Sequence, residues 1–181
     1  MIMKKRFNIY LKADDLIKLK TNKQKISINY NDSIESVMES VCELLEFTEG
    51  IEFIIEGFQK LNHLSCEYDL ICVLEDLPSA FAKIQSDDFN FELFLYEQGT
   101  ECELRFRSDS AEYVDIHLFS FSEKEIEEPI YITKKELATM FINFIEDLFR
   151  VFQILCPDFI KSNYMVNLYN SANSAKNQFD K

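Results

Sequence analysis

Apolar and polar residues alternate with a period of two over most of residues 88–121. In a β-strand, successive side chains point to opposite faces, so each alternating segment has one face to bury. Two polar connections, one at Gln98 and Gly99 and one at residues 108–111, divide the stretch into three segments. The pattern therefore predicts a three-stranded antiparallel meander with one buried face. The predicted inward positions are Phe89, Phe91, Leu93, Leu95, Cys102, Leu104, Phe106, Val114, Ile116 and Leu118.

A long amphipathic helix is predicted at residues 133–155, after the meander and a short fourth strand at residues 129–132. Thr133 and Glu136 have the spacing of a capping box, and Pro157 follows the last apolar residue. These residues mark the two ends of the helix. Because a helix with so wide an apolar face must bury it, we expect it to lie across the sheet as its main cover. The apolar face consists of Leu137, Met140, Phe141, Phe144, Ile145, Leu148, Phe152 and Leu155.

Two short strands are predicted near the N-terminus, at residues 6–12 and 25–30. Both segments alternate apolar and polar residues, as half-buried strands do. The connection between them, residues 14–25, is polar and rich in lysine, and it has room for a short helical turn. The apolar positions of the two strands are Phe7, Ile9, Leu11, Ile26, Ile28 and Tyr30.

Asp32 begins the first predicted helix, because Asp32 and Glu35 have capping-box spacing before an apolar run of helical period. The opposite face carries glutamates at intervals of three and four residues, with no lysine between them. Like charges at this spacing repel by a few tenths of a kcal/mol per pair. Either burial of the apolar face overrides the repulsion, or a cationic partner meets the glutamates. The glutamates are Glu35, Glu39, Glu43 and Glu46.

The sequence of residues 50–85 is compatible with helices or with strands. Both halves of this segment place apolar residues at a helical period, but the first half is short and rich in β-branched residues, which is also typical of a strand. We favour two helices, with Pro78 restarting or kinking the second. The apolar positions are Ile51, Ile54, Ile55, Phe58 and Leu61, then Leu70, Val73, Leu74, Leu77, Phe81 and Ile84.

These elements predict an α+β fold in which an antiparallel meander sheet is covered by helices. The length of 181 residues suits one domain, and the sequence has no linker rich in proline, glycine or serine. We assign residues 1–170 to a single α+β domain. Residues 171–181 are polar, so they are predicted to be a disordered tail.

The sequence favours a cytoplasmic protein that does not enter a membrane. It has no apolar run of the roughly 18 residues that a membrane span needs. Its first residues lack the apolar core and cleavage site of a signal peptide. Five cysteines without a CxxC pair indicate reduced thiols rather than a disulfide framework or a zinc cage.

Charge is distributed unevenly along the chain. Residues 1–30 carry eight basic and two acidic side chains, residues 31–128 carry five and 25, and residues 129–181 carry six and five. The overall net charge is −13, and the middle segment alone has −20. Such a field repels nucleic acid and anionic membranes and attracts basic proteins over about a Debye length. The alternative interpretation is that the acidity only keeps the protein soluble.

Residue types typical of catalytic, cofactor and metal sites are few and scattered. The two histidines are His63 and His117, and only the His63 and Cys66 pair resembles a fragment of a metal site. The three glycines are too far apart for a phosphate-binding loop. Adjacent carboxylates arise by chance in a chain with 32 acidic residues. We therefore predict a protein that is not an enzyme, with no catalytic residue, no cofactor and no metal.

Three acidic sets are the candidate partner-binding residues. They are the glutamates of the first helix, the loop before the fourth strand, and the polar connection at the edge of the meander. Aromatic residues predicted to point outward lie nearby and either anchor a partner or lie under another element. The sets are Glu35, Glu39, Glu43 and Glu46; Glu123, Glu125, Glu127 and Glu128; and Asp109, Glu112 and Asp115; the aromatic residues are Phe94, Tyr96, Tyr113 and Phe119.

The segment FNFELFLYEQGTECELRFRSDSAEYVDIHLFSF, followed by EPIYITKKELATMFINFIEDLFRVF, resembles small bacterial immunity proteins of polymorphic-toxin and contact-dependent growth-inhibition systems. The likeness covers roughly residues 88–155. It consists of an acidic chain, a late antiparallel meander and a helix introduced by a Ser/Thr-x-x-Glu box, and it transfers no functional residue. It implies a cytoplasmic protein that binds a cognate toxin domain, often a basic nuclease, and blocks its active site or a neighbouring surface.

We therefore predict a binding protein that neutralises a basic toxin domain by direct complex formation. The alternative is an acidic adaptor, or an inhibitor that mimics nucleic acid and binds a basic nucleic-acid-binding protein. Neither hypothesis predicts direct contact with nucleic acid or with a membrane. The sequence leaves open the identity of the partner, the surface that binds it and the oligomeric state.

Overall fold

The computed structural model describes residues 6–13, 26–96 and 101–179. Within these ranges the chain forms six strands and four α-helices, with 3-10 turns at Gln59–Leu61 and Phe159–Lys161 and a π-helical turn at Cys66–Leu70. The predicted α+β class is confirmed. The elements in chain order are β1 (Asn8–Ala13), α1 (Ile34–Glu46), β2 (Ile51–Glu56), α2 (Ile71–Gln85), β3 (Phe91–Leu95), β4 (Cys102–Arg107), β5 (Tyr113–Ser120), β6 (Ile130–Thr133), α3 (Lys134–Leu155) and α4 (Asn163–Phe179).

The strands form two antiparallel sheets. Strands β3 to β6 lie in sequence order in one sheet, and β1 pairs with β2 in the other. Leu93, Leu104 and Leu118 are in register across β3, β4 and β5 and are fully buried. The predicted meander, its buried face and the short fourth strand are therefore confirmed. The predicted turn at Gln98 and Gly99 and the connection at residues 14–25 lie outside the described residues.

Helix α3 begins as predicted. The Thr133 hydroxyl accepts from the Glu136 backbone N–H at 3.2 Å, and the Glu136 carboxylate accepts from the Thr133 N–H at 3.0 Å. The ring of Phe141, fully buried in α3, contacts Phe106 of the sheet and Phe81 of α2. Helix α3 therefore covers the inner face of the sheet, but it shares this role with α2, which packs beside β3, and it also packs along β1.

The first half of the ambiguous segment is a strand, so the helix favoured there is wrong. Strand β2 is bracketed by Gly50 (φ 87°) and Gly57 (φ 116°), and the six residues between them are too few for a stable helix. Its β-branched side chains pair along β1, with Ile55 opposite Ile9. The second half is a helix, as predicted, but Pro78 lies inside α2 and does not start a new helix.

The strand predicted at residues 25–30 is also wrong for its described part, residues 26–30. The backbone turns here, and the Asp32 N–H donates to the Asn29 carbonyl at 3.1 Å. Strand β1 pairs with β2. The N-cap of α1 is Ser33 and not Asp32, since the Ser33 hydroxyl accepts from the Ser36 N–H at 3.4 Å, whereas Asp32 accepts from the Asn29 amide at 2.9 Å.

The predicted disordered tail is helical as far as Phe179, because α4 continues through it. Ala172 and Ala175 are buried, and their small side chains let α4 pack closely on α2 and α3. The Lys176 ammonium pairs with Glu146 of α3 at 3.0 Å. The polar composition of residues 171–179 reflects a helix whose buried stripe is narrow, and not a lack of structure.

The buried apolar side chains form one core to which every helix and strand contributes. Side chains from both sheets meet in it: the ring of Phe7, next to β1, contacts Phe106 of β4. No helix in the described parts of the chain is both long enough and apolar enough to cross a membrane.

Candidate protein-interaction site

The outer face of the four-stranded sheet combines charged and aromatic side chains. Side chains alternate along each strand of the meander, so the residues between the buried positions point to this face. Most of them are half-buried by their neighbours on the same face. The outward positions on β3, β4 and β5 are Glu92, Phe94, Glu103, Arg105, Arg107, Asp115, His117 and Phe119.

Arg105 of β4 lies at the centre of this face. Its guanidinium forms ion pairs with Glu103 on the same strand and with Glu123 in the loop after β5, the second at 2.5 Å. It also lies 4.2 Å from the ring centroid of Phe119, within the range of a cation–π contact. Glu103 is only 7% exposed, and an unpaired charge at such a position is strongly destabilising. Arg105 therefore neutralises the charge of the buried Glu103 carboxylate and links the loop to the sheet through its ion pair with Glu123.

The acidic loop, residues 121–128, folds back along β5. The Ser120 N–H donates to the Lys124 carbonyl at 2.9 Å, and the Ile126 N–H donates to the Leu118 carbonyl at 2.8 Å. Glu123 occupies the left-handed position of the turn, with φ 62°, where glycine is usually favoured. A glutamate at this position places its carboxylate on Arg105, which a glycine would not do.

Three of the four glutamates in this loop have partners within the protein. In addition to the Glu123 pair, Glu125 lies 2.6 Å from Nδ1 of His117, and the Glu127 carboxylate accepts from the Lys60 backbone N–H at 2.9 Å. Glu128 is exposed. The predicted set is therefore a loop anchored to β4, β5 and the turn after β2, whose conformation is fixed by several contacts.

Aromatic rings extend from the charged centre towards the loop. The ring centroid of Tyr96 lies 6.2 Å from that of Phe94 and 5.0 Å from that of Phe121. Tyr96 is 54% exposed and Phe121 is 43% exposed. We call the combined surface the aromatic–acidic face. It consists of Phe94, Tyr96, Glu103, Arg105, His117, Phe119, Phe121, Glu123 and Glu125.

The glutamates of α1 lie on a different part of the molecule. Helix α1 packs against β2, the π-helical turn and α2. Glu35 and Glu39 are exposed and Glu43 is half-buried. A hydrogen bond from its own backbone N–H, together with one from Ser33, lowers the pKa of Glu35. The carboxylate of Glu46 is bound internally, since it accepts from the Cys66 N–H at 2.6 Å.

The third acidic set lies at the far end of β5 from the loop. Asp109 and Glu112 are exposed in the connection between β4 and β5, and Asp115 is half-buried opposite Arg107. Strand β5 has eight residues, which span about 25 Å. The structure therefore does not bring the three predicted sets together. Exposed rings adjoin both the loop and this third set, where Tyr131 lies opposite Asp115.

The five cysteines are free thiols, four of them buried and one half-buried. Burial raises the pKa of Cys66, Cys102 and Cys156 to about 12 in each case, so these thiols are protonated near neutral pH. His63 is exposed and Cys66 is buried. Among the described residues, no group of three or more histidine, cysteine, aspartate or glutamate side chains is placed to hold a metal ion.

Several residues of the aromatic–acidic face were not among the predicted site residues. Glu103, Arg105 and Phe121 lie outside both the predicted acidic sets and the predicted outward aromatic residues. The alternation of β4 places Glu103 and Arg105 on the outer face, so the sequence contains this signal. Their pairing with Glu123 depends on how the loop folds back, which no local pattern indicates.

The comparisons with known proteins identify no relative: no family model matches the sequence, and no curated protein or solved structure is significantly similar to it.

Proposed function

We propose that this chain is a non-enzymatic, cytoplasmic protein that neutralises a basic toxin domain by binding it through the aromatic–acidic face. The observation that carries the proposal is the position of the exposed rings of Tyr96 and Phe121 beside a loop rich in carboxylates. The toxin as partner rests on the resemblance of residues 88–155 to immunity proteins. The basic character of the partner rests on the charge of the chain.

Exposed rings are effective anchors for a protein partner. Tyrosine and other large aromatic residues are enriched among the few residues that dominate binding energies, because they bury much surface at little entropic cost. Tyr96, Phe121 and Phe94 form a continuous group. A partner that covers this group removes apolar surface from water, which is favourable by roughly 25 cal/mol per Å².

The carboxylates of the loop orient a basic partner and increase its rate of association. Residues 123–128 contain four glutamates and one lysine, so the loop attracts a basic surface and accelerates encounter at low ionic strength. The contacts of Glu123, Glu125 and Glu127 hold the loop in place. A loop that is ordered before binding loses less conformational entropy on association, which favours tight complexes.

Co-expression tests the function directly. The chain is co-expressed with the toxin domain encoded by its neighbouring gene, and growth rescue and complex formation are measured. We expect rescue and a complex that forms at micromolar concentration or below. A toxin domain that remains lethal, with no complex at micromolar concentrations, would contradict the proposal.

A second experiment tests the face itself. Tyr96→Ala is expected to weaken toxin binding by at least about 30-fold, which corresponds to a hot-spot loss of about 2 kcal/mol. Tyr30→Ala is the matched control, because Tyr30 is 40% exposed but lies beside α1 and α4. Equal effects of the two substitutions would place the interface elsewhere.

Charge-matched variants test the role of the loop. Glu125→Lys with Glu128→Lys and Glu35→Lys with Glu39→Lys change the net charge equally, on different faces. We expect the loop pair to slow association at low salt by about tenfold or more, and the α1 pair to have a much smaller effect. If both pairs slow association equally, only the overall charge matters.

A further inference from the structure

The two edges of the four-stranded sheet differ in how they are protected. At the β3 edge, α2 provides partners for outward backbone groups. The Asp76 carboxylate accepts from the Phe94 N–H at 3.2 Å, and the Lys83 ammonium donates to the Asn90 carbonyl at 2.5 Å. Side chains placed in this way keep another strand from pairing with the edge.

The β6 edge borders a groove of about 720 Å³. The Lys134 N–H donates to the Glu112 carbonyl at 2.8 Å. This bond shows that Lys134, just after β6, directs its backbone N–H towards the β5 side, and it therefore defines the alternation along β6. In an antiparallel pair such residues alternate, so Ile130 and Ile132 bond to β5. Tyr131 therefore directs its backbone N–H and C=O away from β5, towards the groove.

The groove lies where the two sheets approach each other. Its walls are residues 131–133 of β6, residues 6–8 at the start of β1, and the first turns of α3. At one end the sheets touch: a Cβ atom on Gly57 would lie 2.7 Å from Cδ1 of Ile130 and 3.2 Å from the Arg6 carbonyl oxygen. From that contact the groove opens along β6, with the buried side chains of Phe7 and Met140 among its apolar lining.

The charges along the groove are opposite to those of the chain as a whole. Arg6 and Lys135 line it and are exposed. Glu136, the one carboxylate among the described residues that line it, is bound to the N–H and hydroxyl of Thr133 in the capping box of α3. In a protein with a net charge of −13, this is a local cationic surface beside a strand edge that no other strand of the described residues covers.

We propose that this groove binds an extended, acidic peptide segment of a partner protein, which adds a strand to the sheet at β6. The backbone N–H and C=O of Tyr131 bond to the incoming strand, and Arg6 and Lys135 bind its carboxylates. Strand addition supplies affinity through main-chain hydrogen bonds and specificity through side-chain contacts. This site is distinct from the aromatic–acidic face and does not depend on its function.

A phage-displayed library of nine-residue peptides is the probe, selected on the immobilised full chain. We expect enriched sequences to combine alternating β-branched residues with glutamate or aspartate. Tyr131→Pro removes the N–H that faces the groove without removing a bond to β5, and it should weaken the selected peptides at least tenfold. Tyr131→Thr retains the N–H and should bind them within about twofold of the unaltered chain.

Charge reversal provides a second, independent readout. Lys135→Glu should weaken the selected peptides about tenfold, whereas Lys161→Glu, an exposed lysine outside the groove, should leave their binding unchanged. Failure to enrich any peptide, or peptides insensitive to both Tyr131→Pro and Lys135→Glu, would overturn the proposal. A dimer of the chain that Tyr131→Pro dissociates would also overturn it, since a second copy would then be the occupant.

Discussion

The carboxylate of Glu46 accepts a hydrogen bond from the backbone N–H of Cys66 at 2.6 Å. The same oxygen accepts from the Ser65 hydroxyl at 3.1 Å. Glu46 ends α1, and Cys66 begins the π-helical turn that leads into α2. The carboxylate therefore provides, from another helix, the negative charge and the acceptor that N–H groups at a helix start require.

We expect Glu46→Ala to lower the free energy of unfolding by about 1–2 kcal/mol, the usual cost of losing a helix N-cap. Glu46→Gln keeps an acceptor oxygen and loses only the charge, so it should cost about half as much. Glu43→Gln, one turn earlier on the same helix, is the control and should change stability by less than about 0.5 kcal/mol. Urea unfolding measures all three; equal losses for Glu43→Gln and Glu46→Gln would contradict the internal role of Glu46.

The left-handed backbone of Glu123 gives a second prediction. At φ 62° a residue with a Cβ atom is strained by about 1 kcal/mol relative to glycine. Glu123→Ala loses the Arg105 ion pair but keeps this strain, whereas Glu123→Gly loses both. We therefore expect Glu123→Gly to be more stable than Glu123→Ala by about 1 kcal/mol in urea unfolding, although both lack the carboxylate. An alanine variant as stable as the glycine variant would contradict the strain argument.

The elements with strong local signals were predictable from the sequence. The alternation around Leu93, Leu104 and Leu118 determines which face of the meander is buried, and the Thr133 and Glu136 capping box determines where α3 begins. In both cases the pattern and the tertiary structure agree, because the residues that define the element also bury its surface.

The elements that depend on a distant partner were not predictable. The sequence of β2 is compatible with either a helix or a strand. Its pairing with β1, a distant segment, makes it a strand. Helix α4 has a narrow apolar stripe, and only the surfaces of α2 and α3 make Ala172 and Ala175 buried residues. The same holds for the site: the Arg105 and Glu123 pair is separated by 18 residues, so its components are visible in the sequence but its geometry is not.

The half-buried carboxylate of Asp76 gives a prediction about pH. Desolvation raises the pKa of Asp76 above its ordinary value of 3.8, against the opposing effect of the Phe94 N–H bond. The folded state therefore holds this proton to higher pH than the unfolded state does. The resulting stabilisation is present below the ordinary pKa and is lost as the pH rises through the raised pKa.

Replacing Asp76 with asparagine keeps an acceptor for the Phe94 N–H and removes the ionisation. The stability of Asp76→Asn relative to the unaltered chain should therefore increase as the pH rises above about 4 and level off once Asp76 is ionised in the folded state. We expect a gain of about 0.5 kcal/mol or less, because solvent screens a half-exposed group. Urea unfolding across this range measures the difference, and Glu75→Gln, the exposed neighbour, is the control. A difference that does not vary with pH would show that Asp76 titrates normally.

The thiols give a prediction that bears on the function. Cys72 is the one cysteine that is half-buried rather than buried, and its pKa is raised to about 11 by desolvation and by nearby carboxylates. Only about one in a thousand such thiols is ionised at pH 8, against about one in four for an ordinary cysteine of pKa about 8.5. A thiolate of higher pKa is also more nucleophilic, which offsets part of this difference, so we expect the native protein to react with a chromogenic disulfide reagent at least about tenfold more slowly than free cysteine does.

Unfolding in guanidinium chloride should release all five thiols, because none forms a disulfide. Cys72→Ala should remove the fastest native phase and reduce the unfolded count by one. The rate of that phase should rise about tenfold per pH unit up to the raised pKa, since only the thiolate reacts. A thiol that reacted rapidly and stoichiometrically at pH 7 would require a low pKa, as nucleophilic cysteines have, and would contradict a purely binding role for this protein.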